Sequence, residues 1–314
     1  MSLQQTTTEI RKLLERLLLA PADGRIYACV RIAFAVAALM NLILLWPERH
    51  CLLTDAGMID QEITRQTYLW PYLTVFDWCR DDTSVAIVML AAGAAMILLL
   101  AGKMQRLAAL LIYVWHVSYT TRGLTGMGGW DEVLRCVSFL VLISPLPAVW
   151  SLERASEQAP AARSYGLTLM RFQLLVIYWQ TVLERLDSKF WLSGEFMGYY
   201  LLSHNARWPA VWLVDFDLSL RGLTYLILIV EAALPLMLIS RRWHRAGMLT
   251  GFLFHLGIFV TSYNLLMFLL SMMVLYVAFL RTDDINWMTQ QAKRLLKTHS
   301  SKPNSPKGKR TAKA

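Results

Sequence analysis

From Ala246 to Leu280 the chain runs through one long apolar stretch, and six shorter ones precede it, at about 26–46, 84–102, 105–121, 132–149, 167–183 and 222–239. A helix that crosses a bilayer needs about 20 mostly apolar residues. The long stretch exceeds one crossing, and it divides near Tyr263-Asn264 into runs at about 245–263 and 265–281. The pattern predicts an all-α, polytopic integral membrane bundle of about eight transmembrane helices; without the division the count is seven. Composition agrees. Hydrophobic residues make up 56% of the 314, above the roughly 45–50% of soluble domains. The 12 Trp, 12 Tyr and 12 Phe suit membrane interfaces.

The net charge of +9 first suggests nucleic acid. The basic residues do not gather on a folded face beside aromatic stacking platforms, which excludes that partner. They lie in short loops and near the C-terminus. Twenty-one of the 31 Lys and Arg residues fall in alternate segments that include both ends of the chain. Eight fall in the loops at about 47–83, 122–131 and 184–221, and Arg31 and Arg135 lie within spans. The positive-inside rule then places both termini in the cytoplasm, those three loops outside, and the protein in the cell membrane as a multi-pass chain. Residues 1–20 read as an amphipathic segment on the inner surface. Residues 21–281 read as the transmembrane domain, and 282–314 as a basic, largely disordered tail near anionic headgroups.

Cys51 and Cys79 share the first outer loop and could pair there in an oxidising compartment. The six His show no metal-ligand spacing, and no metal is expected. Transport is disfavoured, because no pair of Gly/Pro-broken spans repeats in matching halves.

Ionisable groups within spans are expensive, and they mark the polar interior of a bundle. Arg31 is expected in an ion pair at the inner boundary. Glu231, near the middle of its span, either lines a polar cavity or handles protons. For His255 and His116 an inter-helix hydrogen bond competes with catalysis. Asp131 and Arg135 share a helical face one turn apart. The densest cluster lies between Tyr178 and Tyr200, where Glu184, Arg185, Asp187, Lys189 and Glu195 sit among aromatic residues.

The order of these features resembles the HTTM family, the membrane domain shared with vitamin K-dependent gamma-carboxylase. The match runs from Arg31 through Asp55-Ala-Gly-Met, Gly128-Gly-Trp-Asp-Glu-Val-Leu-Arg, Pro145-Leu-Pro and Trp150-Ser-Leu-Glu. It continues through Gln173…Tyr178, Trp191-Leu-Ser-Gly-Glu, Glu231-Ala-Ala-Leu-Pro-Leu and His255-Leu-Gly-Ile, covering about residues 20–281. The resemblance implies a quinone cofactor: a reduced vitamin K oxidised by O2 yields a base that deprotonates a peptide glutamate, to which CO2 adds. The lysine held to deprotonate the hydroquinone corresponds to Arg185, preceded by Glu184, and no His stands in Gly126–Asp131. A guanidinium keeps its proton, so Arg185 suits an anionic or carbonyl-bearing ligand, or pairing with Glu184, Asp187 or Glu195. Peptide-maturation proteins of the bacterial sporulation-delaying toxin type resemble the domain as well.

Two functions follow as expectations. One is an enzyme that modifies or matures a peptide or small substrate at the outer face, through a cavity lined by Asp131, Glu184, Arg185, Glu231 and His255. The other is a non-catalytic peptide-toxin maturation, export or immunity factor that works with a soluble partner protein.

Overall fold

A computed structural model describes residues 3–68, 73–123, 126–153, 162–208, 212 and 215–300. Among them are fourteen α-helices: α1 (Leu3–Leu18), α2 (Gly24–Leu45), α3 (Arg49–Leu53), α4 (Gln61–Thr67), α5 (Asp82–Ala101), α6 (Gln105–Arg122) and α7 (Gly129–Ile143), followed by α8 (Tyr165–Leu186), α9 (Lys189–Leu192), α10 (Phe196–Leu202), α11 (Asp217–Ile239), α12 (His244–Thr261), α13 (Leu266–Val277) and α14 (Thr282–Ser300). The only regular strands among the described residues are two-residue segments, Pro21–Ala22 and Ala162–Arg163, which pair antiparallel.

Each apolar run of the sequence contains a helix, but the run at about 132–149 is helical only to Ile143, and the chain is extended from Ser144 into Pro145 and Pro147. The run from Ala246 to Leu280 breaks where expected: α12 ends at Thr261, and Asn264 takes a left-handed conformation at φ 55° before α13 begins. Asn tolerates that region better than most residues, because its short amide bonds locally. Three of the helices, α2, α5 and α11, are each long and apolar enough to cross a membrane. At 12 residues α13 is about 18 Å long, short of a hydrocarbon core of about 30 Å.

α2 packs against α5, α13 and α7, and α6 packs against α5 and α7. On the other side α8 packs on α11, α11 on α12 and α12 on α13. α13 is the hub, touching α2, α7, α8 and α12. Its buried Met272 and Leu275 join Phe34, Met89, Leu99, Ile112 and Leu134 in the core. The outward faces are also apolar. Ile87, Leu90 and Ile97 on α5, Leu226, Ile229 and Leu236 on α11, and Leu249 and Leu253 on α12 are all exposed. Soluble proteins rarely leave apolar surface this extensive uncovered, whereas it is what lipid-facing helices present.

Arg31 is fully buried, but its partners are not carboxylates. Its guanidinium donates to the carbonyls of Leu99 (2.7 Å) and Leu100 (3.2 Å) at the end of α5, and of Val149 (3.2 Å) and Trp150 (2.7 Å) after α7. The expected ion pair is replaced by hydrogen bonds to carbonyls at the end of α5 and in the segment after α7.

The segment between α2 and α5 folds on itself. Arg122, buried at the end of α6, donates to the Thr54 carbonyl (2.7 Å) and the Thr64 hydroxyl (3.2 Å) and lies 3.5 Å from Asp55. Asp77 accepts from the Thr74 N–H (2.8 Å), Gln61 (2.8 Å) and Arg65 (2.9 Å). Cys51 and Cys79, the pair that could have stapled this loop, are free thiols. Residues 282–300 are helical, and the basic residues from Lys302 onward lie outside the described residues, as does Arg154.

Candidate functional site

α8 brings the sequence candidates to its neighbours. Tyr178 and Arg185 are seven residues apart, so they share one face of α8, about 10 Å apart along the axis. Glu184, one residue earlier, turns away from that face: its carboxylate accepts only from Gln180 (3.0 Å) and is exposed.

Arg185 forms an ion pair with Glu231 of α11, and its guanidinium lies 4.0 Å from the ring centroid of Trp191 on α9. Glu231 is 4% exposed, whereas the arginine side chain keeps 21% of its surface. The partners anticipated for Arg185 were Glu184, Asp187 or Glu195. The structure pairs it instead with a residue from another helix, and Glu195 faces Arg221 at 3.9 Å. Pro235 stands four residues after Glu231 in α11 and has no N–H to give the Glu231 carbonyl. The acid therefore sits where its helix is weakest. Trp191 stacks in turn on Phe196 at 4.0 Å, which ties α9 and α10 to the pair.

One level away on α8, the Tyr178 hydroxyl lies 2.7 Å from His255 Nε2 of α12 and 2.6 Å from the Tyr276 hydroxyl of α13. All three are buried, and His255 Nδ1 has no hydrogen-bond partner among the described residues. Gly251 leaves the space for Tyr276: a Cβ there would stand 2.0 Å from its hydroxyl oxygen. His116 is satisfied on one side only, with Nδ1 at 2.9 Å from the Ile112 carbonyl.

Asp131 is elsewhere, at the start of α7. It accepts from the Tyr119 hydroxyl (2.7 Å), the Asn41 amide (3.2 Å) and the Gly128 N–H (2.8 Å), and so joins α6, α2 and its own helix start. Arg135, on the same helical face, pairs with Glu132 rather than Asp131. A cavity of about 490 Å³ opens beside Asp131, and Glu184, Arg185, Glu231 and His255 are not among its walls. The five candidates thus occupy four places, not one shared cavity: Glu184 is exposed beside Gln180, Arg185 pairs with Glu231, His255 joins Tyr178, and Asp131 stands at the start of α7. The sequence reading missed Tyr178, Tyr276, Trp191, Asn41 and Tyr119 as partners. The seven-residue spacing of Tyr178 and Arg185 was the available signal.

The fold and these buried polar clusters define a membrane-type helical protein with charged and hydrogen-bonded groups inside the bundle. One relative adds to that description: the chain is 26% identical over 203 residues to the "Sporulation-delaying protein SdpB" of Bacillus subtilis (strain 168). The match covers 56% of this chain and about 60% of the relative's length. No family model matches the chain, and no solved structure matches it.

Proposed function

We propose that the chain is a multi-pass protein of the cell membrane, with both termini cytoplasmic, that serves as a non-catalytic peptide-toxin maturation factor and works with a partner protein. α2, α5 to α8, α11 and α12 cross the bilayer. α13 completes an eighth passage inside the bundle, where protein surrounds its irregular ends. α1, with exposed Leu14 and Leu17, lies on the inner surface.

The observation that carries the reading is the state of Arg185. By the resemblance to the carboxylase-like domain it corresponds to the lysine base, but it is a permanent cation closed onto Glu231 and Trp191. Such a group holds helices and loops in place. It does not take up a proton from a quinol, so vitamin K-type carboxylation is not assigned. The likeness to a sporulation-delaying protein fits the resemblance to proteins of the sporulation-delaying toxin type, from which the peptide-maturation role is proposed. A second reading, a membrane enzyme, draws on the buried Tyr178, His255 and Tyr276 chain, which is arranged to pass a proton if a substrate reaches His255.

A cell-based assay separates the two. The secreted peptide whose maturation depends on the gene would be followed by mass spectrometry in cells carrying Arg185→Leu/Glu231→Leu or His255→Gln. A non-catalytic factor keeps maturation in either of these variants that reaches the membrane folded. An enzyme loses it in His255→Gln at normal protein levels.

A further inference from the structure

The 490 Å³ cleft lies where α2 ends, α7 begins and α12 gives way to α13, which is the outer end of the bundle in the topology proposed above. Its volume falls in the range of small-ligand pockets. Leu44, Trp130, Phe259, Leu266 and Met267 make its walls apolar. Asp131 and Asn41 form its buried polar floor, 4% and 6% exposed, and Glu48 stands exposed at its edge.

Three donors reach the Asp131 carboxylate, and no Lys, Arg or His pairs with it among the described residues. A carboxylate offers about four acceptor positions. Oδ1 takes the Tyr119 and Asn41 donors and Oδ2 takes the Gly128 N–H, so one position on Oδ2 is left. The Asn41 amide nitrogen gives its protons to Tyr119 (2.8 Å) and Asp131, and its carbonyl oxygen receives no donor among the described residues. The one basic side chain on the walls, Arg207, keeps its charge but forms no ion pair with Asp131 among the described residues: its Nε and Nη2 donate to the carbonyls of Phe259 (3.1 Å) and Ser262 (3.1 Å) at the end of α12. The floor therefore presents acceptors and a negative charge with neither a donor nor a cation of its own.

We infer that this cleft binds a primary ammonium group carried on an apolar peptide, either a lysine side chain or a free N-terminus. An ammonium is a compact cation with three donors. It can serve Asp131 Oδ2 and the Asn41 carbonyl together and supply the missing countercharge. A guanidinium fits less well, because its fork needs both carboxylate oxygens and Oδ1 is already filled. The assignment of the cation to a peptide rests on the maturation role proposed above, whereas the selectivity for ammonium rests on the cleft alone.

The test is calorimetric titration of the full-length protein in nanodiscs with short synthetic peptides. One is an acetylated, amidated leucine pentapeptide with a central lysine. The second carries norleucine in place of the lysine. The third is the norleucine peptide with a free N-terminus. The cleft predicts that the lysine peptide or the free-amine peptide binds about tenfold or more tightly than the blocked norleucine peptide, as expected for a charge-assisted hydrogen bond. Asp131→Asn removes the preference and Leu266→Trp, which fills the cleft without touching the acid, weakens all three. Equal binding of the three peptides to the wild-type protein overturns the proposal, and so does a preference that survives in Asp131→Asn. If Asp131→Asn fails to fold, Leu266→Trp decides: unchanged affinity in that variant places the peptide elsewhere. These outcomes concern purified protein and leave the cell-based maturation assay to judge the functional reading independently.

Discussion

Arg185 on α8 and Glu231 on α11 form an ion pair across two helices, and the same guanidinium covers the Trp191 ring at 4.0 Å. Charge, stacking and a proline-weakened helix turn meet at one point. Removing one partner of a buried pair strands the other charge, at a typical cost of about 3–5 kcal/mol. Because Arg185 is partly exposed, Glu231→Gln is expected near the lower end, about 3 kcal/mol. Arg185→Leu/Glu231→Leu strands nothing and is expected to be near neutral. Thermal unfolding of the detergent-purified protein checks this: the single variant must melt well below the double.

Arg31 predicts a different pattern, because its four partners are carbonyls. Arg31→Met leaves buried acceptors unpaired, at about 1–3 kcal/mol for each one that water cannot reach. Arg31→Lys keeps the charge but lacks the planar fork that reaches both the α5 end and the segment after α7. Both variants are therefore expected to be destabilised in the same unfolding assay, and full recovery by Lys would show that charge alone matters.

Gly251→Ala places a methyl group against the Tyr276 hydroxyl. Tyr276 is a buried, rigid ring that cannot swing aside cheaply, and overpacking of this kind costs about 1–3 kcal/mol. The shift also opens the contact from Tyr276 to Tyr178. The ring carbons Cζ and Cε1 of Tyr276 crowd the same methyl position, so Tyr276→Phe, which removes only the hydroxyl, is expected to recover little of the loss in the double variant, whereas Tyr276→Ala, which removes the ring, relieves the overlap, as read by melting temperature.

Asp77, in the segment between α2 and α5, gives the pH prediction. Burial pushes its carboxyl up, but hydrogen bonds from the Thr74 N–H, Gln61 and Arg65, with the Arg65 charge, outweigh that and hold it below the usual carboxylate range. A depressed native pKa contributes stability above the unfolded value of about 3.9, and that contribution is lost as pH falls through the native value. The loop from Thr54 to Arg80 is expected to exchange its amide protons faster, relative to the rest of the protein, below about pH 4. In Asp77→Asn that acid-dependent component disappears.

The helices were legible because lipid-facing and core-facing side chains are both apolar, so hydrophobic runs alone mark them. Even the break at Asn264 could be read, since Thr261-Ser262-Tyr263-Asn264 is the longest polar interruption of the longest run. The short helices α3, α4, α9 and α10 left no such mark, as they are built on local caps and loop contacts. The site was legible only in part. Glu231 and His255 stood out by the cost of burying them, but one sequence does not say which helices touch. Glu184 and Arg185 are chain neighbours that a helix turns about 100° apart, so adjacency grouped residues that the fold separates. Arg31 shows the converse, since a buried cation suggested an acid and found carbonyls.

The central claim is that Arg185 is a fixed cation and not the base of a carboxylase-like reaction. The most direct measurement incubates the purified full-length protein in nanodiscs with reduced vitamin K, O2, bicarbonate and a glutamate-containing peptide, and follows the peptide by mass spectrometry. The predicted result is an unchanged peptide mass. A mass gain of one CO2 that is lost in Arg185→Met would contradict the account.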